Sequence, residues 1–598
     1  MAGLLGIVPL RGLKESPSGP DLFQRMMDGV AAQTGADTVE AWYLPSCGAR
    51  LARAGRKIHR LESLAPSGTP EGGFRLFVAK PTGHQQAAPD PDAAFLSFEW
   101  EPGNNRVTIT ADKTASFPLF YAVCDGNLHF APTVAAVSSL FGPDQIDATA
   151  LTQLLVHGHL LGDATLDIRI RRLRGGEALR VQNGEVSSSF WWQFHPGSPE
   201  AGLAASDELE RLIDESVAGD LGSGDESVIF LSGGADSRAI LGAAMRVADK
   251  SAGPLRTVSW SVGGTDSTSD ASIAGRIAND FGLRHTVLVR QWADPSALVR
   301  RAVIATDALS EMGCFHACEI PMMEELVCGG TVRVLRGDEV FGYHGAVRSP
   351  CEALGEVFIG LLDDCPAALA LLRSRQAGQL REANRQALEN VISEIPSGSP
   401  GQLKDILYHS QRLQCYLNSA VTYKQQILDH RNPLLNGRIL DFVQKIPDAQ
   451  RVNKQFFLEA VRQAYPALWT YPLAGSSGLE DWIPMLRTPL WRAFLEDEFE
   501  EVRSPLWNYV HRPTARALLE GVLRGQIANA SDMRAFARSR LRFSRFLSKL
   551  FNRNEESGGG VFNVRPERIL MRLLALKIWF GRGTSAARSI GIPVQTWS

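Results

Sequence analysis

The sequence predicts two domains of different fold class. An α+β domain covers residues 1–200, an α/β domain built on a parallel sheet covers 205–490, and a basic helical extension runs over 491–598. Three observations lead there. Short alternating apolar runs broken by turn residues fill the first two hundred positions. From about 205, strand-like and helix-like runs alternate at the length expected of a parallel sheet covered on both faces. After 350 the pattern is mostly helical, with Pro/Gly/Ser breaks at 394–402 and 556–560.

In the first domain, "AAFLSFEWEPGNNRVTITAD" (93–112) reads as strand, turn, strand. "FPLFYAVCDGNLHFAP" repeats the pattern around Asp125-Gly126, and "GGEALRVQNGEVSSSFWW" around Asn183-Gly184. Both dipeptides suit two-residue hairpin turns, which need positive φ at both positions. A helix over "DATALTQLLVHGHLL" separates the two hairpins. In the second domain, the helix "ASDELERLIDESVAGDL" precedes the strand "SVIFL" and a helix from Asp236. The strands "RTVSWSV", "HTVLV" and "VRVL" (332–335) follow, interleaved with helices.

Composition limits the function classes. A net charge of −3 over 598 residues favours neither nucleic acid nor an anionic membrane, and no apolar run is long enough to span a bilayer. The N-terminus carries a short apolar run without a basic region or cleavage-site pattern, so no signal peptide is expected. Eight cysteines are few, which suits reduced thiols and a cytoplasmic location. Cys314, His316 and Cys318 ("CFHAC") lie one helical turn apart in an apolar pattern with no second close pair, so they read as buried structural residues and not as a zinc site. Residues 511–598 hold 14 Arg and 2 Lys against 5 Asp and Glu. A solvated helical face is the ordinary reading of such a stretch; a docking surface for an acidic peptide is the other.

The chemistry is concentrated in "SVIFLSGGADSRAI" (227–240). A strand that ends in Ser-Gly-Gly and opens a helix is suited to an anion, because glycine lets backbone approach a phosphate and unpaired N–H groups at a helix start face it. Leu231, Ser232, Gly233, Gly234 and Ser237 would cradle the phosphates. Asp236 cannot bind phosphate directly and makes sense as a ligand of Mg²⁺. No lysine follows the glycines, which excludes the Gly-Lys-Ser/Thr nucleotide loop.

This stretch resembles the pyrophosphate loop (PP-loop) of the ATP pyrophosphatase superfamily, whose members adenylate a carboxylate or carbonyl and release pyrophosphate. "VRVLRGDEVFGYHG" (332–345) is similar to the acidic loop of the asparagine synthetase branch. By that resemblance Gly337 lines the nucleotide, Asp338 is the second metal ligand opposite Asp236, and Glu339 helps line the active site. The strand end Ser259, Trp260 and Ser261 matches the adenine pocket, Asp270, Gly282 and His285 fall at pattern positions, and His285 is expected to be structural. "DHRNPLLNGRILDFVQKIP" (429–447) matches the substrate-end segment through Arg431, Pro433 and Asn436, with Asn436 in place of the usual Asp.

The resemblance extends to residues 1–200, which are similar to the glutaminase (Ntn-type) half of asparagine synthetases. That half needs a cysteine nucleophile where this sequence has Ala2, which argues against glutamine as nitrogen donor. Relatives in which a tethered amine attacks the acyl adenylate are the β-lactam synthetases and the lasso peptide cyclases. The resemblance thus implies an ATP- and Mg²⁺-dependent ligase, foremost a macrolactam-forming lasso peptide cyclase. Its partners would be a ribosomal precursor (core) peptide, a leader peptidase and a leader-binding protein. A β-lactam synthetase-like enzyme, an ammonia-dependent asparagine synthetase and a non-catalytic scaffold are the alternatives. The family's lysine after the "NPLL" segment is missing from 465–482, where Ser476, Ser477 and Gly478 form a polar turn. Lys454, Lys424 and Arg336 are candidates to replace it.

Overall fold

The computed structural model describes residues 2–10, 19–59, 66–69, 72–79, 89–141, 144–197, 205–221, 227–248, 255–262, 266–342, 345–373, 375–396, 398–474, 482–541, 564–582 and 594–597. The first region consists of two stacked, chiefly antiparallel sheets. One runs in the order Arg171–Arg172, Phe120–Cys124, Asn127–Ala131, Gly3–Pro9, Ala49–Gly55, Thr38–Leu44 and Val594–Thr596. The other runs Glu185–Phe190, Glu177–Gln182, Arg106–Ala111, Phe95–Glu101, Phe74–Ala79 and Ser67–Gly68. Their facing side chains, among them Leu4, Trp42, Phe98, Ile109 and Phe130, make one core. Helices Gly19–Thr34 and Val134–Ser138 cover the outer face of the first sheet. This is the α+β layering that the sequence predicts. Asp125-Gly126 and Asn183-Gly184 both turn hairpins at positive φ.

The second region carries a five-stranded parallel sheet in the order Arg284–Val289, Arg256–Ser261, Ser227–Phe230, Arg333–Leu335 and Asp429–Arg431. From the central strand Ser227–Phe230 the chain builds outward on one side, then returns to build on the other. The connections leaving the two central strands therefore diverge and open a crevice at their carboxyl ends, the usual ligand position in such sheets. The edge strand Asp429–Arg431 was not expected from the sequence, because "DHR" has no apolar pattern.

Polar ties join the two regions. Asp307 accepts the Val134 and Ala135 N–H groups (2.8 and 3.2 Å), Gln411 accepts Gly162 N–H (2.8 Å) and Gln414 accepts Gly175 N–H (2.9 Å). Both glutamines belong to a wide π-helix, Tyr408–Leu417, a form often found at functional sites.

One helix of the basic C-terminal stretch departs from a solvated face. Helix Pro566–Gly581 is apolar all round and largely buried, as such helices are. It packs against helices Ala148–His157 and Pro295–Ala305. Its Arg572, 2% exposed, donates to Glu311 Oε2 (2.6 Å) and to the carbonyls of Leu155 and Val156. Arg568 reaches Glu311 Oε1 at 2.8 Å. Gly158 lies here at φ +79°, and a Cβ on it would fall 2.7 Å from Glu311. Segment 542–563 lies outside the described residues.

Histidines sealed in these interfaces make stability depend on pH. Burial pushes His157 and His409 down to about 3, whereas both titrate near 6.5 once unfolded. Their contribution is complete above 6.5 and is lost as pH falls from there toward 3, because only the unfolded chain takes up the protons. Thermal midpoints followed from about pH 8 to about pH 4 should hold above 6.5 and fall below it; a flat profile would contradict the burial.

Candidate active site

The loop Leu231–Gly234 leaves the central strand and enters helix Ala235–Val247. Side chains order its backbone: Ser232 N–H donates to Ser237 Oγ (3.1 Å), Gly233 N–H to Asp270 Oδ1 (2.8 Å) and Gly234 N–H to Ser232 Oγ (3.1 Å). Neither Gly233 nor Gly234 has positive φ, so unusual backbone angles are not why glycine stands there. At Gly233 the reason is close approach: a Cβ would lie 2.7 Å from the Ala474 methyl. Arg238, fully buried, fixes that approach by donating to the carbonyls of Gly233, Leu468, Tyr471 and Pro472.

Asp236 faces the crevice from the first helical turn. Lys454 Nζ stands 3.2 Å from both its oxygens and 2.6 Å from Glu339 Oε1. Burial pushes Asp236 up to about 6; Lys454 opposes that shift, and Glu339 and Asp338 add to it. Burial disfavours the Lys454 ammonium, yet Glu339 and Asp236 outweigh it and raise Lys454 above its ordinary range. Lys454 is delivered by two consecutive left-handed residues, Asn453 at φ +53° and Lys454 at φ +58°. That conformation is costly for non-glycine residues and is retained where the surroundings impose it, characteristically at working sites.

A pocket of about 290 Å³ opens over the loop. Leu231, Ser232, Gly234, Asp236, Ser237, Trp260, Ser261 and Gly337, all assigned to the nucleotide from the sequence, line it. Trp260 packs on Phe230 with ring centroids 4.4 Å apart, giving an aromatic wall suited to a base. Other assigned residues sit elsewhere. Ser259 is buried, donates to Leu231 O (2.6 Å) and approaches His285, tying strand to loop without facing the pocket. Asp338 turns its oxygens to Arg336 (2.8 Å) and Asn432 (3.1 Å). Glu339 is 4% exposed and accepts Phe341 N–H beside Lys454. His285 bonds Thr257 (2.9 Å), a structural role. Arg431 is buried in ion pairs with Asp429 and Asp220, and Asn436 caps helix Gly437–Val443. Ser476, Ser477 and Gly478 lie outside the described residues.

Of the opposite wall, sequence reasoning offered Lys424 and Arg336 as replacements for the family's lysine and missed Arg290, His316 and Glu319. Glu319, 1% exposed, is surrounded by Arg290 (2.8 Å), His316 (2.8 Å) and Lys424. Burial alone would raise its carboxyl, but Lys424, His316 and Arg290 hold it well below the carboxylate range. Arg336 completes this basic wall. Burial disfavours its charge, and Asp338 more than restores it. The one available signal was the His-x-x-Glu spacing of 316 and 319, which spans the turn between helices Met312–His316 and Glu319–Cys328 and lets the two side chains pair. Among the described residues no group of three or more His, Cys, Asp or Glu is arranged to hold a metal. The acidic loops still suit a cation carried mainly by phosphates, since Asp236 and Glu339 already share one, the Lys454 ammonium.

A profile of the asparagine synthase family matches residues 208–548, more than half of the chain. This chain belongs to the asparagine synthase family. Its second region is accordingly an ATP-dependent amide ligase domain of that family, whose members use ATP with Mg²⁺. No curated protein matches the chain. Among solved structures the chain is similar to one described as the allosteric regulatory enzyme of purine biosynthesis, at 10% identity and TM-score 0.21, covering 49% of this chain and 81% of that one. It is also similar to the glutamine phosphoribosylpyrophosphate amidotransferase from B. subtilis complexed with ADP and GMP, at 10% identity and TM-score 0.20, covering 48% and 65%. At such TM-scores the strand orders above carry the fold. Among the described residues, no helix of this family member is long and apolar enough to cross a membrane.

Proposed function

We propose that this family member is a lasso peptide cyclase. It adenylates an Asp or Glu side chain of a ribosomal precursor peptide and closes a macrolactam with the peptide's own N-terminal amine. The observation that carries this reading is an intact phosphate loop joined to a domain without its nucleophile. Asp236, Lys454 and Glu339 are assembled at the loop, while Ala2, which leads into the first strand at the expected nucleophile position, is a buried methyl (2% exposed). A site that draws no ammonia from glutamine suits an amine brought by the substrate itself.

The peptide carboxylate attacks the α-phosphorus of ATP, forming the acyl adenylate and releasing pyrophosphate. The amine then attacks the acyl carbon, AMP leaves, and one proton is released. The N–H groups in the first turn of helix Ala235–Val247 and Lys454 bind the departing pyrophosphate, stabilising charge as it develops. Trp260 and Phe230 hold the base. Mg²⁺, when bound, would neutralise polyphosphate charge, held by Asp236 and Glu339, the carboxylates that share the Lys454 ammonium; Asp338, which the sequence assigns to it, is turned instead to Arg336 and Asn432. His316 is kept neutral by burial, against the pull of Glu319. With one ring nitrogen bonded to Glu319, the other is an acceptor for the amine's proton. Holding amine and adenylate in one site supplies further acceleration. A leader peptidase and a leader-binding protein are the expected partners in delivering the core peptide, and the cytoplasm the expected compartment.

Mass spectrometry tests the reading. The peptide encoded by a short reading frame beside the gene, incubated with the protein, the neighbouring peptidase, ATP and Mg²⁺, should lose one water as AMP appears, and Asp236→Ala should abolish both. AMP formed only with free aspartate and ammonium would identify a small-molecule synthetase instead. No AMP under either condition would leave a scaffold.

A further inference from the structure

We propose that the crevice between the two domains is the chamber that holds the peptide and presents its carboxylate to the nucleotide pocket at Arg336 and His430. This rests on the cyclase reading above. A cavity of about 270 Å³ lies between the domains, walled by Thr114 and Ser116 from the first and by Gly219, Asn418 and Thr422 from the second. Arg336 and His430 line both this crevice and the nucleotide pocket. A group that reaches the inner end of the crevice therefore stands at the pocket wall, beside a guanidinium suited to a carboxylate or its adenylate. Asp338, which the sequence assigns to the nucleotide side, lines the crevice.

The chemistry of the walls suits a peptide chain. Their formal charges are largely matched within the protein. Lys113 is paired with Asp92 (2.8 Å) and Asp441 (2.7 Å), and Arg431 with Asp220 (3.0 Å). Asp112 accepts the N–H groups of Thr114 and Ser116. Hydroxyl and amide side chains remain, interspersed with Phe120, Leu173 and Leu309. Such a surface complements uncharged main-chain groups and apolar side chains better than a free ion. A water molecule needs only ~10–15 Å³ of such volume, so the crevice is an order of magnitude larger than passage of ammonia requires. Helix Pro566–Gly581 of the basic tail is packed inside the protein and offers no peptide surface. In this arrangement the domain that lacks the nucleophile serves as one wall of the peptide site.

Gly219 provides the test. It lies on helix Ser206–Leu221, and a Cβ there meets nothing within 4 Å, so Gly219→Trp places a ring in the crevice without a backbone clash. With the synthetic precursor from the neighbouring reading frame, Gly219→Trp should lower cyclised peptide and peptide-dependent AMP about tenfold or more. Binding of a fluorescent non-hydrolysable ATP analogue should be unchanged, and Gly219→Ala should track the wild type. Thr422→Trp, from the opposite wall, should repeat the result should Gly219→Trp fold poorly. A precursor carrying a benzophenone side chain should cross-link the wild-type protein to crevice residues. Wild-type cyclisation rates in folded Trp variants, or cross-links confined to the outer surface, overturn the chamber and leave the cyclase reading standing. AMP made only from free aspartate and ammonium overturns both.

Discussion

Lys454→Ala is expected to reduce AMP formation about 10²–10³-fold, the usual loss when a preorganised charge is removed from a developing anion. Two effects combine. Lys454 is the cation shared by Asp236 (3.2 Å) and Glu339 (2.6 Å); without it two half-buried and buried carboxylates face each other, and one is driven toward its neutral form. The pyrophosphate also loses its compensating charge at the moment of departure. Lys454→Gly separates electrostatics from backbone strain, because glycine accepts φ +58° without cost. It should be as inactive as the alanine variant while unfolding later than it, since both lose the cation and only glycine relieves the backbone. Pyrophosphate release in steady state, with thermal unfolding of each variant alongside, checks both points. Wild-type turnover in either variant would remove Lys454 from the site.

Glu311→Ala should destabilise the fold by about 3–5 kcal/mol, the cost of leaving a buried charge without its partner. Glu311 is 0% exposed and receives Arg572 at 2.6 Å and Arg568 at 2.8 Å. Its backbone N–H donates to Gly158 O (2.8 Å) at the end of a first-domain helix. The carboxylate therefore locks together the first domain, the ligase domain and the helix near the C-terminus. Arg572→Met should cost less, because methionine fills volume and removes a charge along with its partner's need to compensate it; Arg568 still pairs with Glu311. Denaturant midpoints of the variants measure the difference. Equal, small shifts would show that the cluster contributes little.

Much of the nucleotide side was legible in the sequence because it is contiguous. A strand, a Ser-Gly-Gly loop and a helix with Asp236 in its first turn are set by neighbours within fifteen residues, so local pattern suffices. The hairpins at Asp125-Gly126 and Asn183-Gly184 were legible for the same reason. The basic wall was legible only as two loose candidates, Arg336 and Lys424. His316 and Glu319 are chain neighbours, but Arg290, Arg336 and Lys424 come from separate elements and reach them only through the packing of the parallel sheet. His316 was set aside with Cys314 and Cys318, whose sulfurs are indeed buried, although its own ring turns to the pocket.

By itself the sequence determined the alternation of strands and helices except the edge strand Asp429–Arg431, the phosphate loop with Asp236, the strand leading to Asp338, and alanine at position 2. The tertiary structure decided which candidate cation serves the loop, since Lys454 lies 218 residues from Asp236 in the chain and arrives only through two left-handed residues. It also decided the fate of the basic C-terminal stretch. Counting charges predicts a wet or docking surface, but helix Pro566–Gly581 has apolar residues on every side and buries them, together with Arg572 and Lys577, against both domains. Charge composition reports how much charge a segment carries; whether that charge meets water or a buried carboxylate depends on partners far along the chain, and only the folded chain brings Glu311 and Glu498 to meet it.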